Sequence, residues 1–169
     1  MRIFLDIRYP QIIQECADSI GRLFVANEIG IAHINKGDKP SYTIVSVYNK
    51  HLTDLFPQHG EGKKYTRTIA LEPWQQRIVD TYPLDFWRGL YHSDGSRFSN
   101  IVNGKDYPRY QFSNESQDIL GIFMNTCDKL GLHYSTKTKR TKGYDYPTDV
   151  FVSKRKDVQF LDEHIGPKR

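Results

Sequence analysis

Cysteine is scarce. Only Cys16 and Cys127 occur in 169 residues, each within an apolar run of helical spacing. A disulfide framework and a thiolate zinc site are both excluded, and the pair read as small core residues of a reduced, intracellular protein. Long apolar runs are also missing: no stretch reaches the ~18 residues a bilayer span needs, and no charged-then-apolar leader opens the chain. The expectation is therefore a cytoplasmic protein without a membrane partner. Strong charge bias is absent too. Lys and Arg number 24 against 20 Asp and Glu, a net charge of +4, which permits a nucleic-acid partner without requiring one. Histidines with ligand spacing on one element are lacking: His51, His59 and His92 are scattered, which speaks against a histidine-held metal.

What is present is more informative. A hydrophobic content of 38% suffices for one globular core or two small intertwined halves. "MRIFLDIRY" alternates like a strand, and "PQIIQECADSIGRLF" carries apolar residues at helical spacing behind Pro10. "IGIAHIN" and "SYTIVSVYN" flank the turn composition "KGDKP", the pattern of an antiparallel hairpin. "KHLTDLF" predicts a short helix, and Pro57 to Thr68 predicts an irregular connection. Then come helices from "EPWQQRIVDTY" and "PLDFWRGLYHSDG", a hairpin turning on Asn103-Gly104, and the amphipathic helix "NESQDILGIFMNTCDKLGLH" with Gly131 as its left-handed cap. A second hairpin and a final helix, "KRKDVQFLDEHIG", close the chain.

The two halves resemble each other. "DSIG" (18–21) falls where "DKLG" (128–131) falls, and "VYNKHLTDLF" (47–56) where "VSKRKDVQFL" (152–161) falls, about 105–110 residues apart. That spacing suits a pseudo-twofold domain rather than a solenoid. The predicted boundaries are an incomplete N-terminal repeat over 1–56, a connection over 57–83 and a complete repeat over 84–169.

Basic residues are concentrated in two places. Residues 134–142 carry Lys137, Lys139, Arg140 and Lys142, and residues 62–69 carry Lys63, Lys64 and Arg67, neither strip with an acid. Each reads either as a phosphate-contacting strip or as a solvated face. Gln58 and His59, with Lys63 nearby, read either as accessory groups beside a phosphate or as an exposed loop. Trp74, Trp87 and the tyrosines suit core and interface better than base stacking.

One segment is locally inconsistent. In "RGLYHSDGSRF" (88–98), Gly89 costs about 1 kcal/mol relative to alanine within a helix, and Asp94 stands at the negative end of the helix dipole. A core helix with an exposed Asp-Gly turn accounts for this, and so does a helix built for close approach and ion binding.

"WRGLYHSDG" (87–95) resembles the signature of the LAGLIDADG homing endonucleases. It retains Gly89, Leu90, Asp94 and Gly95, with His92 where the family has an acid. "LFPQHGEGKKYTRTIALEPWQQRIVD", "PRYQFSNESQDI" and "EHIGPKR" are similar, over essentially the whole chain, to LAGLIDADG-like proteins of actinobacteria and their phages. The resemblance implies an α+β saddle of two pseudo-symmetric repeats with antiparallel sheets, the first repeat lacking its signature helix. It implies that Trp87, Gly89 and Ser93 form a helix interface, with Gly95 as a left-handed cap. Asp94 becomes the catalytic acid and the ligand to Mg²⁺ or Mn²⁺ in phosphodiester hydrolysis. Double-stranded DNA becomes the partner, contacted by Arg97, Ser99, Arg109, Gln111, Lys63, Lys137, Lys139 and Arg140. Strand alternation puts Ser135, Lys137, Lys139 and Thr141 together, with Arg97 and Ser99 facing Arg109 and Gln111 as a second set. A single signature acid cannot make a paired site, so a second chain or a separate N-terminal fragment is expected to complete it. Alternatives are DNA binding without cleavage, and a structural subunit that only completes a partner's helix pair.

Overall fold

The computed structural model describes residues 1–37, 39–138 and 147–169. It falls into two units, Met1–His59 with Lys168–Arg169, and Gly60–Pro167. In the first unit, β1 (Arg2–Asp6) leads to α1 (Pro10–Leu23), the hairpin β2 (Gly30–Lys36) and β3 (Lys39–Ser46), and the short α2 (Leu52–Leu55). The antiparallel sheet has the order β1-β3-β2. Pro10 opens α1, where its missing N–H costs nothing. Ile13, Ala17 and Ile20 then fall on one face and pack with Phe24, Val45 and Val47. Gly21 lies inside α1 rather than ending it, so "DSIG" and "DKLG" are not equivalent caps: α1 runs two residues further and stops at Phe24, whose N–H bonds the Ile20 carbonyl.

The second unit contains α3 (Pro73–Thr81), α4 (Pro83–Asp94), β4 (Gly95–Phe98), β5 (Ile101–Val102), β6 (Lys105–Asp106), β7 (Arg109–Ser113), α5 (Gln117–Lys129), β8 (Ser135–Thr138), β9 (Pro147–Val152) and α6 (Arg155–His164). A reciprocal Glu72–Gln75 capping box starts α3. Asn103 and Gly104, at φ 49° and 75°, make the β5–β6 turn that their sequence predicts. Gly131, at φ 66°, ends α5, and the Leu132 N–H returns to the Cys127 carbonyl at 2.9 Å.

The main sheet runs β4-β7-β9-β8, antiparallel throughout. Its segment β7-β9-β8 repeats the order β1-β3-β2, and α5 follows β7 as α1 follows β1. The chain is therefore α+β with antiparallel sheets. Tyr110, Phe112, Val150 and Val152 point to one face of the main sheet, where they pack with Trp87 and Tyr91 of α4, Leu120, Phe123 and Cys127 of α5, and Val158 and Leu161 of α6. Phe112 and Phe123 stack at 4.3 Å between ring centroids. Each such side chain contributes about 1.5–3 kcal/mol by leaving water, so one sheet face is committed to the core and the other is left open. Among the described residues, no helix is long and apolar enough to cross a membrane.

Candidate nucleic-acid interface and carboxylate centre

Register decides which side chains share the open face. Ser96 pairs with Gln111 and Phe98 with Arg109; across the next ladder Gln111 pairs with Phe151 and Ser113 with Asp149; Ser135 and Lys137 then oppose Phe151 and Asp149. Opposed residues point the same way. The open face thus carries Arg109, Gln111, Ser113, Ser135, Lys137 and Asp149 around Phe98 and Phe151. The Arg109 guanidinium carbon stands 5.9 Å from the ring centroids of both phenylalanines, close enough for cation–π attraction.

The register also corrects one expected set. Arg97 pairs with Tyr110 and so lies on the helix-covered side, apart from Arg109 and Gln111. There it makes a two-pronged ion pair with Asp162 of α6, Nε to Oδ1 at 2.5 Å and Nη2 to Oδ2 at 2.7 Å. The Tyr110 hydroxyl donates to the same carboxylate at 2.7 Å. Arg97 is structural because β7 enters with a register of opposite parity to the one assumed from the hairpin. Ser99 lies beyond the end of β4, and its hydroxyl donates to Asp106 at 3.0 Å within the hairpin tip. Lys137 is exposed on the open face; Lys139, Arg140 and Thr141 lie outside the described residues. Lys63 places its ammonium 5.4 Å from the Tyr65 ring centroid. Gln58 and His59 belong to the first unit and Lys63 to the second.

Asp94 is the last residue of α4 and is exposed. Asn114 Nδ2 donates to its Oδ2 at 3.1 Å. Asp94, Asn114, Glu115, Lys64, Lys137 and Asp149 line one cavity of about 550 Å³ at the end of the open sheet face. Lys64 belongs to the basic strip over 62–69, whereas Asn114, Glu115 and Asp149 were not anticipated as site residues. Their signal in the sequence is faint: one acid in the apolar run "PTDVFV", and an Asn-Glu pair that reads as a helix start. Burial opposes ionisation of Asp149, but hydrogen bonds from Ser113, Gln111 and Thr148 and the charge of Lys137 outweigh it, holding the carboxyl below its ordinary range.

The helix around Asp94 departs from expectation in two ways. Trp87 is fully buried in the unit's own core, its indole N–H 3.3 Å from the Cys127 sulfur. It is therefore not an interface residue, because the i, i+4 spacing to buried Tyr91 puts both on the sheet-facing side. Burial pushes the Cys127 thiol up to about 12, against a smaller opposing effect of the Trp87 hydrogen bond. Gly95 is extended at φ −91°, not left-handed. A glycine is required for a different reason: a Cβ there would collide with the Tyr91 ring and approach its carbonyl oxygen to 2.7 Å. Gly89 and Ser93 are exposed, and a Cβ on Gly89 would meet no described atom within 4 Å.

The model of the LAGLIDADG-like domain matches residues 81–166, the stretch that holds α4 with its terminal Asp94 and the open-faced antiparallel sheet. The chain belongs to that family. Solved structures similar to this LAGLIDADG-like protein agree in fold. The crystal structure of I-DmoI in complex with DNA and Mn is 19% identical, with a TM-score of 0.60, over 98% of this chain and 80% of that one. I-DmoI bearing a substitution, with its target DNA and Mg, is 19% identical with a TM-score of 0.57, over 97% of this chain and 78% of that one. The N-terminal LAGLIDADG domain of DUF199/WhiA is 13% identical with a TM-score of 0.56, over 99% of this chain and 73% of that one. No curated protein sequence matches the chain.

The donor set for a divalent ion is partial. Among the described residues, no three or more His, Cys, Asp or Glu side chains gather as a metal-binding group, and α4 is the one helix that ends in aspartate. One carboxylate is nevertheless compatible with Mg²⁺, which takes one or two carboxylates and completes its shell with water and phosphate oxygens.

Proposed function

We propose that this LAGLIDADG-like protein binds duplex DNA on the open face of the β4-β7-β9-β8 sheet and acts as a metal-dependent, site-specific DNA endonuclease through Asp94. The observation that carries this reading is the placement of Asp94 on one cavity with Lys64 and Lys137, at the end of the face bearing Arg109 and Gln111. Arginine and glutamine suit base edges, and lysine suits phosphates. The DNA complexes of I-DmoI support the same assignment.

Asp94 would hold Mg²⁺ or Mn²⁺ together with phosphate oxygens. When bound, the ion supplies Lewis acidity at the scissile phosphate and a water of lowered pKa. Asn114 orients the Asp94 carboxylate, and Lys64 and Lys137 provide positive charge where the phosphate lies. A second aspartate-bearing helix, supplied by another copy or a separate fragment, would pack on the exposed Gly89–Ser93 side of α4 and complete the acid pair. In this reading, 1–56 belongs to the first repeat, 57–83 is a connection and 84–169 is the complete second repeat.

A second reading, DNA binding without cleavage, is favoured by the single aspartate, Asp94, that the ends of the described helices offer where the acid pair needs two. One experiment tests both. Affinity for duplex DNA is measured against salt, and plasmids carrying the native locus are incubated with size-separated monomer and dimer in Mg²⁺. The endonuclease reading expects steeply salt-dependent binding and metal-dependent cutting by the associated form. Replacing Lys137, Lys139 and Arg140 by alanine should lower the salt slope by about 0.9 per lost phosphate contact. Binding without cutting supports the second reading, and failure to bind any duplex at low salt overturns both.

A further inference from the structure

Gln111 sits in the middle of the open face, on the central part of β7. Its Nε2 donates one hydrogen bond to Ser113 Oγ at 2.8 Å and another to Asp149 Oδ1 at 2.7 Å. Ser113 Oγ donates in turn to the same Oδ1, and Thr148 Oγ1 donates to Oδ2 at 3.1 Å. Chemistry fixes which end of the amide faces Asp149. A carboxylate accepts only, and Asp149 is held ionised, so the NH₂ end must face it. Ser113 spends its proton on Asp149 and is left to accept. The NH₂ group of Gln111 is thereby engaged within the protein, and its carbonyl oxygen is the group it can offer to a base.

We infer that Gln111 is a specificity-determining residue, oriented by Asp149 and Ser113, that selects a base presenting an amino donor in the major groove, cytosine or adenine, over guanine and thymine. The inference rests on the DNA-binding reading above. In the major groove, cytosine N4 and adenine N6 present donors to an acceptor such as Oε1. Guanine O6 and N7 and thymine O4 are themselves acceptors and would oppose it. An unrestrained glutamine grips adenine with two hydrogen bonds, donating to N7 while accepting from N6. Here the donating half is occupied, so adenine loses its advantage and cytosine is accepted equally. The anionic Asp149 beside the amide reinforces the preference for a donor. Arg109, two residues earlier on the same face and braced between Phe98 and Phe151, is suited to guanine. A two-residue step along a strand is roughly 6.8 Å, about two base-pair rises of 3.4 Å, so the two preferences should fall about two base pairs apart.

The test uses the full chain. Duplexes are selected from a randomised library with the wild type, Gln111→Met and Asp149→Ala, and exchange of the Gln111 side-chain amide protons is followed by NMR without DNA. The expected profile has one position where cytosine and adenine exceed guanine and thymine by about tenfold, and Gln111→Met erases that preference alone. Asp149→Ala should release the amide and shift the same position towards adenine. In the DNA-free wild type, the Gln111 amide protons should exchange slowly. Fast exchange overturns the inference even if Asp149→Ala does not fold. Guanine or thymine at the Gln111-dependent position also overturns it, as does an unchanged profile in Gln111→Met, while the DNA-binding reading survives. Failure of the wild type to bind any duplex overturns both.

Discussion

Arg97 and Asp162, 65 residues apart, lock β4 to α6 through a two-pronged ion pair that also receives the Tyr110 hydroxyl. The pair is partly buried, with side-chain exposures of 26% and 34%, so it is neither a freely screened surface contact nor a fully desolvated one. Arg97→Ala leaves a carboxylate and a hydroxyl without their cation. It should lower unfolding stability by about 1–3 kcal/mol, read from the denaturant midpoint, without changing the salt slope of DNA binding. Arg109→Ala, on the opposite face of the same hairpin, should do the reverse.

The same carboxylate makes stability depend on pH. Hydrogen bonds from Arg97 hold Asp162 below its ordinary value of 3.8 against partial burial, with help from Tyr110. A carboxyl with a lowered folded pKa stabilises the protein above its unfolded pKa and loses that contribution as pH falls through the folded one. Thermal stability should therefore decline in acid from about pH 5 downward. Asp162→Asn should be less stable at neutral pH and show a shallower decline, measured by circular dichroism melts across pH 2–7.

Gly95→Ala tests the close approach between β4 and α4. The added Cβ would be 2.7 Å from the Tyr91 carbonyl oxygen and 2.9 Å from its Cα, both backbone atoms that cannot turn aside. A loss of about 1–3 kcal/mol is expected from such overpacking. Gly89→Ala, in open space, should instead be neutral or gain up to about 1 kcal/mol from helix propensity. If both variants melt alike, the packing at Gly95 is not what requires glycine.

Asp94→Asn removes a charge and keeps the shape of the exposed helix end. In the endonuclease reading it should abolish Mg²⁺-dependent cutting while duplex affinity in metal-free buffer changes less than about threefold, on the order of 0.7 kcal/mol. Undiminished cutting by Asp94→Asn would place the chemistry elsewhere.

Much of this arrangement is legible in the sequence because it depends on neighbours. Pro10, Pro73 and Pro83 open helices, Asn103-Gly104 turns a hairpin, Gly131 closes α5, and the Asp-Gly at 94–95 marks the end of α4. Each follows from local backbone preferences or apolar periodicity. The candidate site is legible in part: Asp94, Arg109, Gln111 and Lys137 stand out from residue type and the family resemblance. Gly95 was anticipated as glycine for a conformational reason and is glycine for a steric one, a difference that no local rule carries.

By itself, the sequence determined the order and type of most elements, the antiparallel α+β class and the acid at the end of α4, since hydrophobic spacing and turn chemistry act over a few residues. Only the tertiary structure decided which face each strand residue occupies. A one-residue change of register inverts every side chain on a strand, and register is set by partners distant in the chain. That is why Arg97 went to Asp162 on the covered side, why Trp87 was absorbed by its own core, and why Asp149, unremarkable in sequence, came to hold the amide of Gln111.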